Sequence, residues 1–199
     1  MISIILPVKD RAENTKRLLD ELSRQNEHFG DQVIIIENGS SEDMSFLDDY
    51  DIRLIHEEQV GVGHARNVGL DNAEGDYICW VDNDDYIADD YLATIHEAIK
   101  TGLDWYAWDW CLDYKPIHMR MDVSRPLKYN WALWGYCFRR DLFDGVRFDE
   151  SKVAGSDLKI FEIITDKTSG AYIEKCLYFF KWEGNENSLS HLFNSGKIK

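Results

Sequence analysis

The sequence predicts an α/β domain, with a mixed, mostly parallel central sheet flanked by helices. Three observations predict it. Short apolar runs alternate with helical patterns through residues 1–100, and strands joined through helices make right-handed crossovers into a parallel sheet. An aromatic and β-branched run, residues 77–81, ends abruptly in Asp82, Asn83, Asp84 and Asp85. The 199 residues, 44% hydrophobic and 30% charged, suffice for one substantial core. With no low-complexity linker, internal repeat or second core, residues 1–199 are expected to form a single domain. Its first half is residues 1–100, and residues 101–199 pack on the same sheet.

The elements follow in chain order. Residues 3–8 open the chain as an apolar strand. Asp10 with Glu13 resembles a capping box, and Leu18, Leu19 and Leu22 give the next helix one apolar face. Residues 32–36 read as a buried strand before the turn signal Asn38, Gly39, Ser40, Ser41. Residues 52–56 are a third strand, and Ala65, Val68 and Ala73 mark a helix carrying Arg66. Residues 77–81 are the fourth strand, followed by a helix marked by Tyr91, Ile95, Ala98 and Ile99. Beyond Lys100 come an aromatic stretch at 105–114, a strand-like run at 131–138, a helix starting near Ser156 and a last strand at 172–182.

The acidic junction carries chemistry. Unpaired carboxylates are costly to take out of water, and the usual remedies are a metal ion or a cationic partner. Ligands bind at the carboxyl ends of strands in open α/β sheets. Asp82 and Asp84 therefore read as hard oxygen ligands for Mg²⁺ or Mn²⁺, which would in turn hold a phosphate. The plainer alternative is an acidic turn capping the next helix, since Asp89 and Asp90 follow.

The net charge of −15 disfavours double-stranded nucleic acid and anionic lipid as partners. No apolar stretch is long enough to span a bilayer, and no signal peptide is visible, so a cytoplasmic location is expected. Cys79, Cys111, Cys137 and Cys176 lack zinc or disulfide spacing, and buried free thiols are expected.

Several stretches match a known pattern in order. Residues 4–8 look like an opening strand, and 34–43 like a second-strand turn. Residues 61–70 fit G-x-x-x-A-R-N-x-G-L, and 73–85 resemble A-x-G-x-Y-I-x-F-L-D-x-D-D. Residues 131–148 and Gly155-Ser156-Asp157 are similar to an acceptor segment and its acidic motif. Together these segments resemble family 2 glycosyltransferases of the GT-A fold, the nucleotide-diphospho-sugar transferase architecture.

The resemblance implies roles. Residues 1–100 become a nucleotide-binding half and 101–199 an acceptor-binding half. Pro7, Val8 and Asp10 are similar to the family's cradle for base and ribose. Glu37 and Asn38 replace two acidic residues usual there, and Asn38 keeps a donor and an acceptor for a pyrimidine edge. Arg66 would reach the base or the diphosphate, and Asn83 joins the donor-binding set. Asp84 is the direct metal ligand, Asp82 contacts the ribose or a metal-bound water, and Asp85 either supports the metal ligands from behind or is structural.

Asp157 is the implied general base for a single in-line displacement with inversion. Ser156 precedes it where the family usually has Glu. Lys181 stands where a cation meets the diphosphate, and His191 is a third metal ligand or an acceptor contact. Trp131 or Trp134 is the acceptor-site aromatic. The donor would be a nucleotide-diphosphate sugar, a UDP-sugar first, with thymidine sharing its edge and guanosine open. The acceptor would be a glycan, a lipid-linked species or another hydroxyl, and a homodimer stays possible.

Other classes fit less well. A dinucleotide-binding dehydrogenase would need a third glycine where Arg66 stands. A sugar-phosphate nucleotidyltransferase would want a glycine-rich loop where Lys9-Asp10-Arg11 stands. A non-catalytic sugar-nucleotide or carbohydrate-binding protein stays open, because Glu37, Asn38 and Ser156 depart from the usual acidic motifs.

Overall fold

The computed structural model describes residues 1–113, 115–117, 132–152, 155–163 and 167–181. One sheet is built from β1 (Ile2–Val8), β2 (Gln32–Glu37), β3 (Arg53–His56), β4 (Tyr77–Trp80), β5 (Tyr86–Ile87), β6 (Trp105–Leu112), β7 (Lys115–Ile117), β8 (Tyr136–Arg139) and β9 (Gly170–Phe180). Its order is β3-β2-β1-β4-β8-β6-β9-β5, with β7 beside β6. The helices are α1 (Ala12–Asn26), α2 (Val62–Asp71) and α3 (Tyr91–Ile99).

The expected mixed sheet is present. Its longer ladders, β1–β2 and β6–β9, are parallel, as are β1–β4 and β2–β3. Antiparallel pairing enters where β8 joins β4 and β6. β2 lies on one side of β1 and β4 on the other, so the crossovers leave β1 in opposite directions. That switch point opens a crevice at the carboxyl ends of β1 and β4, the place where α/β sheets bind ligands.

Alternation along β1 builds two cores. Ile2, Ile4, Leu6 and Val8 face the layer that contains α1 and α3. Ile5 faces the opposite layer with Ala65 and Leu70 of α2 and Phe148. A strand buried on both faces favours apolar residues throughout, which is why residues 2–8 show a run rather than alternation, broken only by the buried Ser3, whose hydroxyl donates to Gln32 Oε1 and accepts the Gly75 N–H. On α1, Leu18, Leu19 and Leu22 are all buried, each worth about 1.5–3 kcal/mol on burial. Gly69 lets α2 lie directly on the sheet, because a Cβ there would come within 2.4 Å of Ile5 and 3.1 Å of Ile36.

Three local expectations are corrected. Asp10 and Glu13 form no capping box. The N-cap of α1 is Arg11, with no side-chain cap, and the Asp10 carboxylate instead accepts from Ser41 and Glu42 across the strand ends. Glu42 reaches back to accept the Ala12 N–H at 2.7 Å, so the helix start is held by a distant loop. The helix expected near Ser156 is a 3₁₀ segment, Leu158–Ile163.

Cys111 and Cys176 are disulfide-bonded, with Cα atoms 6.5 Å apart, and only Cys79 and Cys137 are free. The pairing arises because β6 and β9 are neighbours with an irregular register between Trp108 and Trp110, which a separation of 65 residues did not reveal.

Candidate functional site

The carboxyl ends of β1, β2 and β4 lie on one edge of the sheet. They deliver Asp10 and Arg11, Glu37 and Asn38, and Asp82 to Asp85. The segment before Leu158 brings Asp157 to the same edge, and α2 supplies Arg66 from behind.

Arg66 is the hub. It is 7% exposed, yet its guanidinium meets two acids from separate segments. Nη2 lies 3.5 Å from Asp82 Oδ1 and Nη1 lies 3.9 Å from Asp157 Oδ2. Nη1 also donates to Ser156 Oγ at 3.4 Å, and the Phe148 ring sits 5.6 Å away. Arg66 Nε is buried without a hydrogen-bond partner among the described residues. The predicted donor-side acid and the predicted base are thus tied to one cation.

The remaining acids divide by surroundings. Burial pushes the Asp82 carboxyl up, Arg66 pulls it back, and Asp84 and Asp157 push it up again. Asp84 is held by the guanidinium of Arg11. Asp85 is wholly buried. It accepts from the Tyr178 hydroxyl at 2.8 Å and from the Lys181 N–H at 2.8 Å, and burial followed by its two acidic neighbours drives its pKa well up. The Tyr178 hydroxyl in turn accepts the Asp82 N–H at 3.1 Å. Asp85 therefore anchors the loop.

Other predicted residues have specific local tasks. Pro7 and Val8 pair with Ile36 and Glu37 at the strand ends. Asp10 holds the 40–42 turn; the Ser41 N–H lowers its pKa against the effect of burial. The Asn38 amide is taken up by the loop before α2, donating to Gln59 O at 2.5 Å and accepting from Gly61 N at 2.7 Å. Asn83 donates to Thr15 Oγ1 at 2.9 Å and Asp10 O at 3.2 Å. Both amides set loop geometry.

At Glu37 burial works to raise the pKa, but the Ser40 N–H and the His56 ring outweigh it and the carboxyl is lowered. Trp134 is nearly buried and lies flat on Tyr178, with centroids 4.4 Å apart, so one face is used in packing. Trp131 and His191 lie outside the described residues.

Three residues escaped the sequence reading: Arg11, Tyr178 and His64. In sequence Arg11 is only one residue of a loop that lacks glycine. Tyr178 lies within a hydrophobic run, where no local pattern marks its hydroxyl. His64 sits between Glu57 Oε2 at 3.1 Å and Glu150 Oε2 at 3.2 Å. Burial lowers its pKa, but the two carboxylates prevail and raise it. Asn67 completes this join, exchanging hydrogen bonds with Phe148 and donating to Glu150 at 2.7 Å. Gly63 permits the approach, since a Cβ there would meet the Asp149 carbonyl oxygen at 2.9 Å.

A sequence profile described as glycosyl transferase family 2 matches residues 3–144. The chain belongs to that family. Among curated relatives, glycosyltransferase GlyA of Streptococcus pneumoniae is 24% identical over 213 aligned positions, which cover 90% of this chain and 30% of GlyA. Among solved structures, S. aureus TarS 1-349 in complex with UDP-GlcNAc superposes with a TM-score of 0.82 at 19% identity, over 95% of this chain and 60% of that one. The mannosyltransferase PcManGT of Pyrobaculum calidifontis, in complex with GDP-Man and Mn²⁺, gives 0.70 at 16% identity, over 100% and 64%. These likenesses show that this family 2 chain has the GT-A fold. The chain spans about a third of GlyA and under two thirds of either structural neighbour.

Proposed function

We propose that this family 2 chain transfers a glycosyl group from a nucleotide-diphosphate sugar to an acceptor hydroxyl, by a single displacement with inversion and with a divalent cation. The observation that carries the proposal is Arg66 buried between Asp82 and Asp157. A donor acid and an acceptor base held by one cation would bring a leaving group and an incoming hydroxyl within reach of each other.

Carboxylates are the chemistry that hard cations take. Asp84 already has a cationic partner in Arg11, a stand-in for the charge a metal would bring. Among the described residues no three metal-ligating side chains converge, so Asp84, with Asp82 beside it, would supply the protein ligands and the diphosphate the rest. A bound Mn²⁺ or Mg²⁺ would supply charge neutralisation on the departing diphosphate.

The chain's own residues do the other work. Asp157 accepts the acceptor proton as the acceptor oxygen bonds to the anomeric carbon and the bond from that carbon to phosphate oxygen breaks. Arg66 orients Asp157. The Lys181 N–H seats Asp85 and so steadies the loop that carries Asp82 and Asp84. TarS with UDP-GlcNAc and PcManGT with GDP-Man and Mn²⁺ support the reading. A UDP-sugar is the first donor to test, with glycans, lipid-linked species and other hydroxyl compounds as acceptors.

A panel of UDP-, TDP- and GDP-sugars with MnCl₂ tests the reading, with nucleoside diphosphate release as readout. The parent is expected to turn over at least one donor. Asp157→Asn is expected to keep the thermal shift given by that donor and lose about 10²–10⁴-fold in turnover. If both proteins bind a donor and neither releases diphosphate from it, the chain binds sugar nucleotides without transferring sugar.

A further inference from the structure

Arg11 occupies an unusual position. It is the N-cap of α1 with φ 63°, and Asp10 before it has φ 56°. Two consecutive side-chain-bearing residues in the left-handed region carry a conformational cost that the surroundings must impose. Those surroundings are visible: Ser40 Oγ accepts the Asp10 N–H at 2.8 Å, the Asp10 carboxylate accepts from Ser41 at 2.6 Å, and Glu42 accepts the Ala12 N–H. The start of a helix is also a poor place for a positive charge, because the exposed N–H groups there are already positive. Backbone conformation and helix end both disfavour this arginine, yet its guanidinium is directed across the crevice onto Asp84, with both side chains largely buried at 25% and 16% exposure.

We propose that Arg11 is a resident counter-ion for the metal-binding carboxylate, and that it and the divalent cation exclude one another at Asp84. The inference rests on the metal reading of Asp84 given above. The carboxyl ends of β1 and β4 gather Asp82, Asp84 and Asp85, with Asp157 beside them. Arg66 serves Asp82 and Asp157; Arg11 serves Asp84. A guanidinium on a carboxylate oxygen and a metal on the same oxygen are alternatives, since two cations at that separation repel. Cation binding therefore requires Arg11 to leave. Its departure frees a planar, permanently charged group at the mouth of the crevice, a group suited to phosphate oxygens. The exchange makes cation binding alone weak and ties it to arrival of the diphosphate.

Free Mn²⁺ counted by electron paramagnetic resonance during titration of the nucleotide-free protein tests this. If the Arg11-free conformer is about one tenth of the population, the parent binds Mn²⁺ about tenfold more weakly than its carboxylates allow. Arg11→Gln, which keeps stem length without charge, is expected to tighten Mn²⁺ binding by about three- to tenfold and to lower the metal-free melting temperature. Added MnCl₂ should close that gap in melting temperature. Arg11→Lys is expected to stay near the parent.

Asp84→Asn separates the two ideas. If it abolishes Mn²⁺ binding while Arg11→Gln leaves the affinity at the parent's value or weaker, Arg11 is no competitor and the metal reading stands. If Asp84→Asn leaves Mn²⁺ affinity unchanged, the metal reading itself fails. Should Arg11→Gln not fold, Arg11→Met is titrated in its place against the same expectation.

Discussion

Tyr178 uses one hydroxyl for two jobs. It accepts the N–H of Asp82 and donates to the carboxylate of Asp85, and burial followed by the neighbouring carboxylates holds its own pKa far above the ordinary tyrosine range, which keeps it a donor. Removing the oxygen leaves a buried carboxylate short of a donor and a backbone N–H short of an acceptor. Such orphaned groups cost about 1–3 kcal/mol each. Tyr178→Phe is therefore expected to lower the denaturation midpoint at an unchanged slope and to weaken donor binding through the displaced loop. A variant with parental stability and donor affinity would show that the hydroxyl does not position Asp82.

At the scale of elements, α2 is held at its amino end by charge. His64 sits between Glu57 on one side and Glu150 on the other, and its folded pKa lies above the ordinary value. A raised histidine pKa stabilises the fold fully below the unfolded value of about 6.5, and the contribution is lost as pH rises through the folded value. The difference in melting temperature between the parent and His64→Gln should therefore be larger at about pH 5.5 than at about pH 8.5. A difference that stays constant or grows toward alkaline pH contradicts the clamp.

The same elements show what a sequence reveals. β1, β2 and β4 were legible because burial on both faces forces an apolar run, and α1 because Leu18, Leu19 and Leu22 recur at helical spacing. Asp82 and Asp84 stood out because acids directly behind an apolar strand break the local pattern, whereas Asp157 was marked only by the resemblance of Gly155-Ser156-Asp157 to a family motif. Arg11, Tyr178 and His64 were not, since each gains its meaning from a partner far along the chain: Asp84, Asp82 with Asp85, and Glu150. The tasks of Asn38 and Asn83 were hidden likewise, because an amide does not announce whether loop or ligand will take it. The Cys111–Cys176 pair depended on two strands becoming neighbours.

Over the whole molecule, 37 acidic residues face 22 basic ones for a net charge of −15. Exposed pairs such as Arg24 with Asp89 contribute little, so the surplus acid repels itself across the surface. At an ionic strength of about 0.15 M the screening length is about 8 Å. Raising NaCl from about 0.01 M to 0.15 M should therefore raise the melting temperature. A fall would mean that the pairs outweigh the surplus. Asp82, Asp84 and Asp85 gather acid at one edge of the sheet, and their seat is completed from far along the chain, by the Tyr178 hydroxyl and the Lys181 amide. During synthesis the three acids therefore leave the ribosome nearly a hundred residues before the groups that receive them. A nascent chain halted short of Lys181 carries the carboxylates without their full support. Release of β9, rather than completion of the first four strands, is the moment at which this acidic edge can take its final form.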